Sequence, residues 1–302
     1  MKILLLATIL LAQQTFAHSA EYLKFNSPDK RYPDHPEVLV ELNLPKKTKG
    51  KLPIIITQHG STRDGKKFKG GATDEYSKRL IKAANKQGFA VAAIDAFYKK
   101  PLKSTDKTRF PNAAEYAYNL RKILLQDSRF DKNNFFYTGF SYGASQVLKT
   151  IGTPYNTQYP NTWRAISAAE PACNSFHKPI KLNFPVLIIK GEESHYYIEP
   201  CKILEKELSK AGNRVTLINI SKVNHFFSTN GKIGKGIAVN GCRYNPIIKM
   251  PDRTFQMYDG TLISRKEARK KCLTNESGLG KNRKKLDEVV NATISFFKEN
   301  LN

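Results

Sequence analysis

Residues 135–143 read F-F-Y-T-G-F-S-Y-G, an apolar and aromatic run that ends in Gly139-Phe140-Ser141-Tyr142-Gly143. The pattern G-x-S-x-G is typical of a nucleophile elbow, in which a buried strand turns sharply into a helix. The two glycines leave room for the backbone to fold back, so that the central serine stands exposed on a strained turn. Because so short a pattern also arises by chance, its meaning depends on the chain around it.

Apolar runs and helical patterns alternate on both sides of this stretch. Residues 52–57 and 89–94 are continuous apolar runs, the kind expected of strands buried on both faces of a parallel sheet. Residues 37–44 alternate and predict a half-exposed strand. Further strands are predicted at 163–169, 186–189 and 215–220, and helices at 74–87, 111–126 and 200–211. We therefore predict an α/β fold with a doubly wound, mainly parallel sheet and helices on both faces.

The two ends of the chain differ from this alternating middle. Residues 1–17 hold one lysine and an apolar core, which predicts a secretory signal peptide and a periplasmic or secreted protein. That core is shorter than the roughly 20 residues that span a bilayer, and no later stretch approaches that length. We expect residues 18–302 to form a single domain. Its insertion, at about 228–284, lacks a strong period, and an amphipathic closing helix follows.

The net charge limits the partners that the sequence predicts, and the cysteines indicate disulfides. The net charge of +24 would favour polyanions, but the lysines are spread along the chain and no nucleic-acid-binding motif accompanies them. We therefore predict a solvated basic surface without a specific nucleic-acid partner. An even number of cysteines in an exported chain predicts two disulfides among Cys173, Cys201, Cys242 and Cys272. Three pairings are open, and no C-x-x-C spacing indicates a metal site.

Ser141 and His225 are the candidate nucleophile and general base. A serine hydroxyl without help is a poor nucleophile, so it needs a base within hydrogen-bond reach and an acid that orients the base. His225 lies five residues beyond the last predicted strand, which fits the chain order serine, acid, histidine. The carboxyl ends of the strands, where ligands bind in such sheets, would bring the two together.

The acid has more than one candidate. Its usual position, in the loop after the strand at 186–189, holds Ser194 instead of an aspartate. Glu192 and Glu193 are the nearest carboxylates. We favour Glu193, because the longer glutamate side chain could reach His225 from one residue earlier. The alternative is Glu170, which ends the preceding strand.

Backbone N–H groups are the expected oxyanion hole. One would come from Tyr142, directly after the candidate nucleophile, and the other from Ser61, in the loop after the first buried strand. His59 and Gly60 precede Ser61 and form the turn that aims these amides inward. We expect His59 to be a buried packing residue.

From about Pro53 to Phe297 the chain resembles the dienelactone hydrolase-like branch of the α/β-hydrolase superfamily. The resemblance rests on H-G at 59–60, I-D-A-F at 94–97, the elbow at Ser141, E-P-A-C at 170–173, G-E at 191–192 followed by P-C at 200–201, and N-H-F-F at 224–227. It implies an α/β-hydrolase fold. Exported members carry a cysteine-bearing insertion before the last helix, which implies the pairs Cys173–Cys201 and Cys242–Cys272.

Two positions depart from the pattern of this family. Ser141 stands where the founding members have a cysteine nucleophile, so their lactone substrate is not carried over. Ser194 replaces the family aspartate. The sequence as a whole predicts a serine hydrolase that cleaves a small carboxylic ester or related acyl compound without a cofactor. The rival hypotheses are a non-catalytic or weakly catalytic binding protein on the same scaffold, and a peptidase or acyltransferase with the same triad.

Overall fold

A mainly parallel sheet of eight strands forms the centre of the protein. The computed structural model describes residues 20–47, 50–61, 74–103, 106–152, 154–159, 162–174, 181–228, 237–250, 254–274 and 282–302. The predicted signal peptide lies outside the described residues. The strands are β1 (Glu21–Asn26), β2 (Glu37–Asn43), β3 (Leu52–Gln58), β4 (Ala90–Asp95), β5 (Phe130–Phe140), β6 (Ala165–Ala169), β7 (Val186–Gly191) and β8 (Val215–Ile220). Their order across the sheet is β1-β2-β4-β3-β5-β6-β7-β8.

The pairing of these strands confirms the predicted fold class. From β4 to β8 all neighbours are parallel, whereas β1 pairs antiparallel with β2 and β2 antiparallel with β4. Strand β1 was not predicted. It pairs with the outer edge of β2. Val38, Leu39 and Val40 of β2 are buried, with Val38 and Val40 in the main core, so the prediction that β2 is half-exposed is wrong.

Helices cover both faces of the sheet. They are α1 (Glu75–Lys86), α2 (Ala113–Leu124), α3 (Tyr142–Lys149), the short α4 (Tyr155–Gln158), α5 (Glu199–Lys210), α6 (Arg265–Lys271) and α7 (Arg283–Glu299). The apolar stripes of α1 and α7 pack together against one face, and those of α2, α3 and α5 pack against the other. The predicted helices at 74–87, 111–126 and 200–211 are confirmed within a few residues at each end. Among the described residues, no helix has the length and apolarity that crossing a membrane requires.

The predicted insertion contains more regular structure than its sequence suggested. Strands β9 (Ile247–Lys249) and β10 (Phe255–Met257) form an antiparallel pair, and the basic run at its end is helix α6. A small separate core of Ile247, Ala268 and Cys272 holds these elements together. Because this core is small, we expect the insertion to depend on its covalent link.

Two disulfides join the pairs that the family resemblance implied. Cys173, just after β6, is bonded to Cys201 in α5, with a Cα–Cα distance of 5.0 Å. Cys242 is bonded to Cys272 within the insertion, with a Cα–Cα distance of 4.8 Å. The first disulfide ties the loop after β6 to α5, and the second closes the insertion on itself.

Replacing a disulfide by a pair of serines should lower the free energy of unfolding of the part that it closes, the main domain for Cys173–Cys201 and the insertion for Cys242–Cys272. The expected loss is about 3 to 4 kcal/mol in each case, since each disulfide closes a loop of about 30 residues in the unfolded chain. Urea unfolding followed by circular dichroism measures the loss. The two variants are controls for each other: removal of Cys242–Cys272 should affect mainly the insertion, with little change in the unfolding of the sheet. An equal loss of sheet stability in both variants would contradict the separation of the two cores.

Candidate active site

Ser141 stands on a sharp turn between β5 and α3. Its backbone has φ 54° and ψ −110°, a left-handed conformation that costs a non-glycine residue about 1 to 3 kcal/mol. A Cβ atom added to Gly143 would lie 2.1 Å from the carbonyl oxygen of Gln58, and one added to Gly139 would lie 2.9 Å from the same oxygen. The two glycines are therefore required by the close approach of β3, and the pattern at 139–143 is a true strand-to-helix elbow.

A continuous chain of hydrogen bonds starts at this serine. The Oγ atom of Ser141 lies 2.8 Å from Nε2 of His225, and Nδ1 of His225 lies 2.8 Å from Oε2 of Glu170. All three side chains come from loops at the carboxyl ends of the strands. The imidazole thus has one nitrogen at the hydroxyl and the other at a carboxylate, which is the arrangement that removes a proton from a serine.

The carboxylate beside His225 is that of Glu170, so the preference for Glu193 is corrected. Glu170 follows β6, the strand next to β5, and its positive φ of 62° turns the chain out of the sheet. Glu193 is exposed, and only its backbone N–H takes part in the loop, donating to the carbonyl of Val223 at 2.9 Å. The carboxylate of Glu192 accepts from the backbone N–H of Lys222 at 3.0 Å. Glu170, the alternative candidate from the sequence analysis, therefore occupies the position of the acid.

Ser194 and Lys190 complete the surroundings of this carboxylate. The hydroxyl of Ser194 donates to Oε2 of Glu170 at 2.9 Å, and the ammonium of Lys190 donates to the same oxygen at 2.8 Å. The other oxygen accepts from the backbone N–H of Gly191. Ser194 stands where the sequence analysis expected an acid, and its hydroxyl is a donor to the carboxylate of Glu170.

Lys190 is a site residue that sequence reasoning missed. It is the last residue but one of the strand V-L-I-I-K-G, and its side chain is completely buried. The only signal in the sequence was a single cation at the carboxyl end of a strand that is otherwise apolar. Because an isolated buried ammonium is very costly, that position indicated an acidic partner inside the protein.

The ion pair with Lys190 keeps the carboxyl group of Glu170 ionised. Burial opposes ionisation of the carboxyl, but the charge of Lys190 and the hydrogen bond from His225 outweigh it and lower the pKa of Glu170 to about 2. Burial lowers the pKa of Lys190, and the charge of Glu170 opposes that shift. The carboxylate is therefore ionised at neutral pH although it is buried.

His225 lies in an environment that keeps it neutral. Burial lowers its pKa, the hydrogen bond and charge of Glu170 raise it, and the cations Lys190 and Lys107 lower it, with a net lowering. The ring of His195 lies 5.0 Å from that of His225, and burial, together with the neighbouring positive charges, lowers the pKa of His195 to about 3. A neutral His225 can accept a proton from Ser141 at ordinary pH.

The two backbone amides predicted for the oxyanion hole lie in suitable segments. Tyr142 is the first residue of α3, so its N–H has no acceptor within the helix. The loop before Ser61 passes close to the elbow, since a Cβ added to Gly60 would lie 3.7 Å from Cβ of Ser141. The backbone N–H of Gly60 donates to Oδ2 of Asp74 at 2.7 Å, which fixes this turn.

His59 is the packing residue that the sequence predicted. Its side chain is fully buried and packs edge-on against Phe97, with 4.7 Å between ring centroids. Its Nε2 accepts from the backbone N–H of Ala96 at 3.1 Å, so Nδ1 carries the proton and donates to the carbonyl of Gly60 at 2.7 Å. In the part of the chain that the structure describes, no cluster of three His, Cys, Asp or Glu residues is placed to bind a metal ion.

Comparison with solved structures shows the fold. A dienelactone hydrolase-like promiscuous phosphotriesterase from metagenomic libraries matches at a TM-score of 0.56 and 12% identity, covering 92% of this chain and 98% of its own. A thermophilic esterase of the planctomycete Thermogutta terrifontis matches at a TM-score of 0.54 and 16% identity, covering 70% of this chain and 85% of its own.

The same esterase phosphorylated by paraoxon matches at a TM-score of 0.54 and 15% identity, covering 70% of this chain and 86% of its own. No family model matches the sequence, and no curated protein matches it. At this level of identity the likeness establishes the α/β-hydrolase fold, as the sequence predicted.

Replacing Lys190 by methionine should lower the free energy of unfolding by about 3 to 5 kcal/mol at pH 7, because the buried carboxylate of Glu170 loses its counter-charge. The matched control is the double variant Glu170→Gln/Lys190→Met, which removes both charges and should recover part of the loss. Urea unfolding at fixed pH measures both. A double variant no more stable than Lys190→Met would show that the methionine is costly for another reason.

Proposed function

We propose that this protein is an exported serine hydrolase that cleaves a carboxylic ester or a related acyl compound through an acyl-Ser141 intermediate. The observation that carries the proposal is the hydrogen-bonded chain Ser141–His225–Glu170, with the serine on a strained elbow. The esterase activity named for the structural neighbours supports the same class of reaction. The signal-like residues 1–17 and the two disulfides support export.

The reaction follows from the positions of the atoms. Nε2 of His225 takes the proton of Ser141 as Oγ attacks the substrate carbonyl carbon, and the carbonyl oxygen becomes an oxyanion. The N–H groups of Tyr142 and Ser61 donate to that oxyanion. The intermediate then expels the alcohol, which takes the proton from His225. A water molecule then attacks the acyl carbon while His225 takes its proton. The bond between the acyl carbon and Oγ of Ser141 breaks, His225 returns the proton to Oγ, and the carboxylic acid product leaves.

Glu170 keeps the imidazole in the productive tautomer. An ionised carboxylate at Nδ1 requires the proton to sit on that nitrogen, so Nε2 is free to accept from Ser141. When His225 becomes an imidazolium in the transition state, the charge of Glu170 stabilises it. Lys190 and Ser194 hold the carboxylate in place and ionised.

The geometry weakens the hypothesis of a binding protein without activity. That hypothesis rested on Ser194 at the usual acid position and on the basic insertion. A carboxylate is nevertheless present at His225, which removes the first of these two reasons. A peptidase or an acyltransferase would use the same machinery, with an amide as substrate or a second alcohol in place of water. A turnover screen across esters, lactones and amides separates an esterase from a peptidase, and analysis of the products in the presence of an added alcohol separates hydrolysis from acyl transfer.

Ser141→Ala should abolish labelling by a fluorophosphonate probe, because the probe phosphonylates an activated serine hydroxyl. Intact-mass spectrometry should show one adduct per molecule on the wild type, mapped by peptide analysis to Ser141. The neighbour phosphorylated by paraoxon suggests the probe class. Folded wild type that takes up no probe would overturn the proposal.

Glu170→Gln should lower kcat about 10³- to 10⁴-fold on 4-nitrophenyl butyrate, since the amide no longer fixes the tautomer of His225. Glu193→Gln, the matched control on the exposed loop, should stay within about twofold of wild type. If Glu193→Gln loses as much activity as Glu170→Gln, the assignment of the acid fails.

The acid limb of kcat/KM should have its midpoint below pH 6.5, the ordinary value for histidine, because the pKa of His225 is lowered by burial. His225 must be neutral to act as the base, so activity rises with pH through that pKa. Glu170, with its pKa of about 2, should add no second inflection above pH 4. A neutral ester should be used, with circular dichroism at each pH as the control for folding. A midpoint above pH 6.5 would contradict a lowered pKa of His225.

A further inference from the structure

A cavity of about 1200 Å³ lies beside the candidate site, between the insertion and the loops at the carboxyl ends of the strands. Tyr196 is shared by both, since it lines the cavity and its ring lies 4.8 Å from that of His225. The volume is slightly above the range of about 300 to 1,000 Å³ that is usual for small-molecule sites. The cavity therefore adjoins the candidate site at Tyr196.

The insertion is tied to the loops that carry the site residues. The hydroxyl of Thr274 donates to the carbonyl of His195 at 2.7 Å, and the side-chain amide of Asn174 donates to the carbonyl of Val239 at 3.2 Å. Asn174 directly follows the disulfide-bonded Cys173. The wall that the insertion provides is thus fixed against the body of the protein.

Four cations and no acidic side chain are found among the described residues that line the cavity: Arg31, Lys107, Arg265 and Arg269. Within the described ranges, no carboxylate forms an ion pair with Lys107, Arg265 or Arg269. The charge of Lys107 is one of the causes that lower the pKa of both His225 and His195. The cationic lining shares one cavity with Tyr196, whose ring lies 4.8 Å from that of His225.

Exposed apolar side chains accompany these cations. Ile237, Leu262 and Leu273 line the cavity with exposed fractions of 51%, 79% and 44%. They are three of the eight large hydrophobic residues that are exposed in the described chain, and all three belong to the insertion. Exposed apolar side chains gathered at one concave surface indicate a ligand that covers them.

We infer that the substrate is an amphipathic ester that carries an anionic group away from the scissile bond. Its apolar part would lie on Ile237, Leu262 and Leu273, and its carboxylate, sulfonate or phosphate would pair with Arg265 and Arg269. Guanidinium groups suit planar or tetrahedral oxyanions because they donate two parallel hydrogen bonds. This inference rests on the proposed hydrolase function and names the substrate class of the same site.

Helix α6 offers a matched control, because only one of its faces lines the cavity. Arg265, Ala268 and Arg269 line it, whereas Lys266 and Lys270 belong to the same exposed helix and do not. The variants Arg265→Gln/Arg269→Gln and Lys266→Gln/Lys270→Gln therefore remove the same charge from the same helix. A general effect of the positive surface would lower the preference for an anionic substrate equally in both variants.

Two substrates differ only in the anionic group: 4-nitrophenyl hexanoate and the mono-4-nitrophenyl ester of adipic acid, which has the same acyl length and a terminal carboxylate. The pair phenyl hexanoate and 4-hexanoyloxybenzenesulfonate tests an anion on the alcohol side. In at least one pair, wild type should prefer the anionic ester roughly tenfold in kcat/KM, the factor expected of one or two charge-assisted contacts. The Arg265→Gln/Arg269→Gln variant should lose most of that preference, and Lys266→Gln/Lys270→Gln should keep it.

Binding measured without turnover separates this inference from the proposed function. Calorimetric titration of the Ser141→Ala protein with the same two pairs should show the same preference, and adding the Arg265→Gln/Arg269→Gln changes should remove it. If the preference is present in binding while wild type hydrolyses no ester, the hydrolase proposal fails and the anion site stands. No preference in either pair, or an equal loss in both double variants, would overturn the inference.

Discussion

The buried ion pair between Glu170 and Lys190 is the interaction on which the candidate site depends. Both side chains are almost completely removed from solvent, and their nitrogen and oxygen atoms lie 2.8 Å apart. Removing either charge from water is costly, and the mutual attraction offsets that cost only when further hydrogen bonds satisfy the remaining atoms. Here His225, Ser194 and the backbone of Gly191 supply those bonds. The carboxylate therefore stays ionised beside the imidazole, the state that His225 needs in order to act as a base.

The packing of three neighbouring strands sets the position of the serine. Gly143 and Gly139 allow the elbow to approach the carbonyl of Gln58 more closely than any side chain would permit. The backbone N–H of Ser141 donates to the carbonyl of Ala169 at 2.9 Å, so the turn is also fixed to the end of β6. Because Glu170 is the next residue, the same strand end positions the serine and the acid. A strained turn of this kind persists only where its surroundings fix it from several sides.

The insertion and the first disulfide connect the site to the proposed substrate surface. Cys173 lies three residues after Glu170, and its bond to Cys201 holds the loop after β6 against α5. Asn174 then contacts the insertion, which adds cationic and apolar side chains beside Tyr196. In the proposed hydrolase, residues at the strand ends would supply the chemistry, and a separate segment with its own disulfide would supply the wall that selects the substrate. This division agrees with the general rule that function lies in sites built on a common fold.

The sequence by itself determined the fold class, the position of the elbow at Ser141, the choice of His225 as the candidate base and the alternation of strands with helices. These features depend on local patterns: continuous apolar runs for buried parallel strands, G-x-S-x-G for the turn, and chain order for His225. Only the tertiary structure decided between Glu170 and Glu193, because that choice depends on which strand end faces His225 across the sheet. It also revealed Lys190 and the donor role of Ser194. Their partners lie 20 and 24 positions away in sequence, and a spacing of that kind leaves no local pattern.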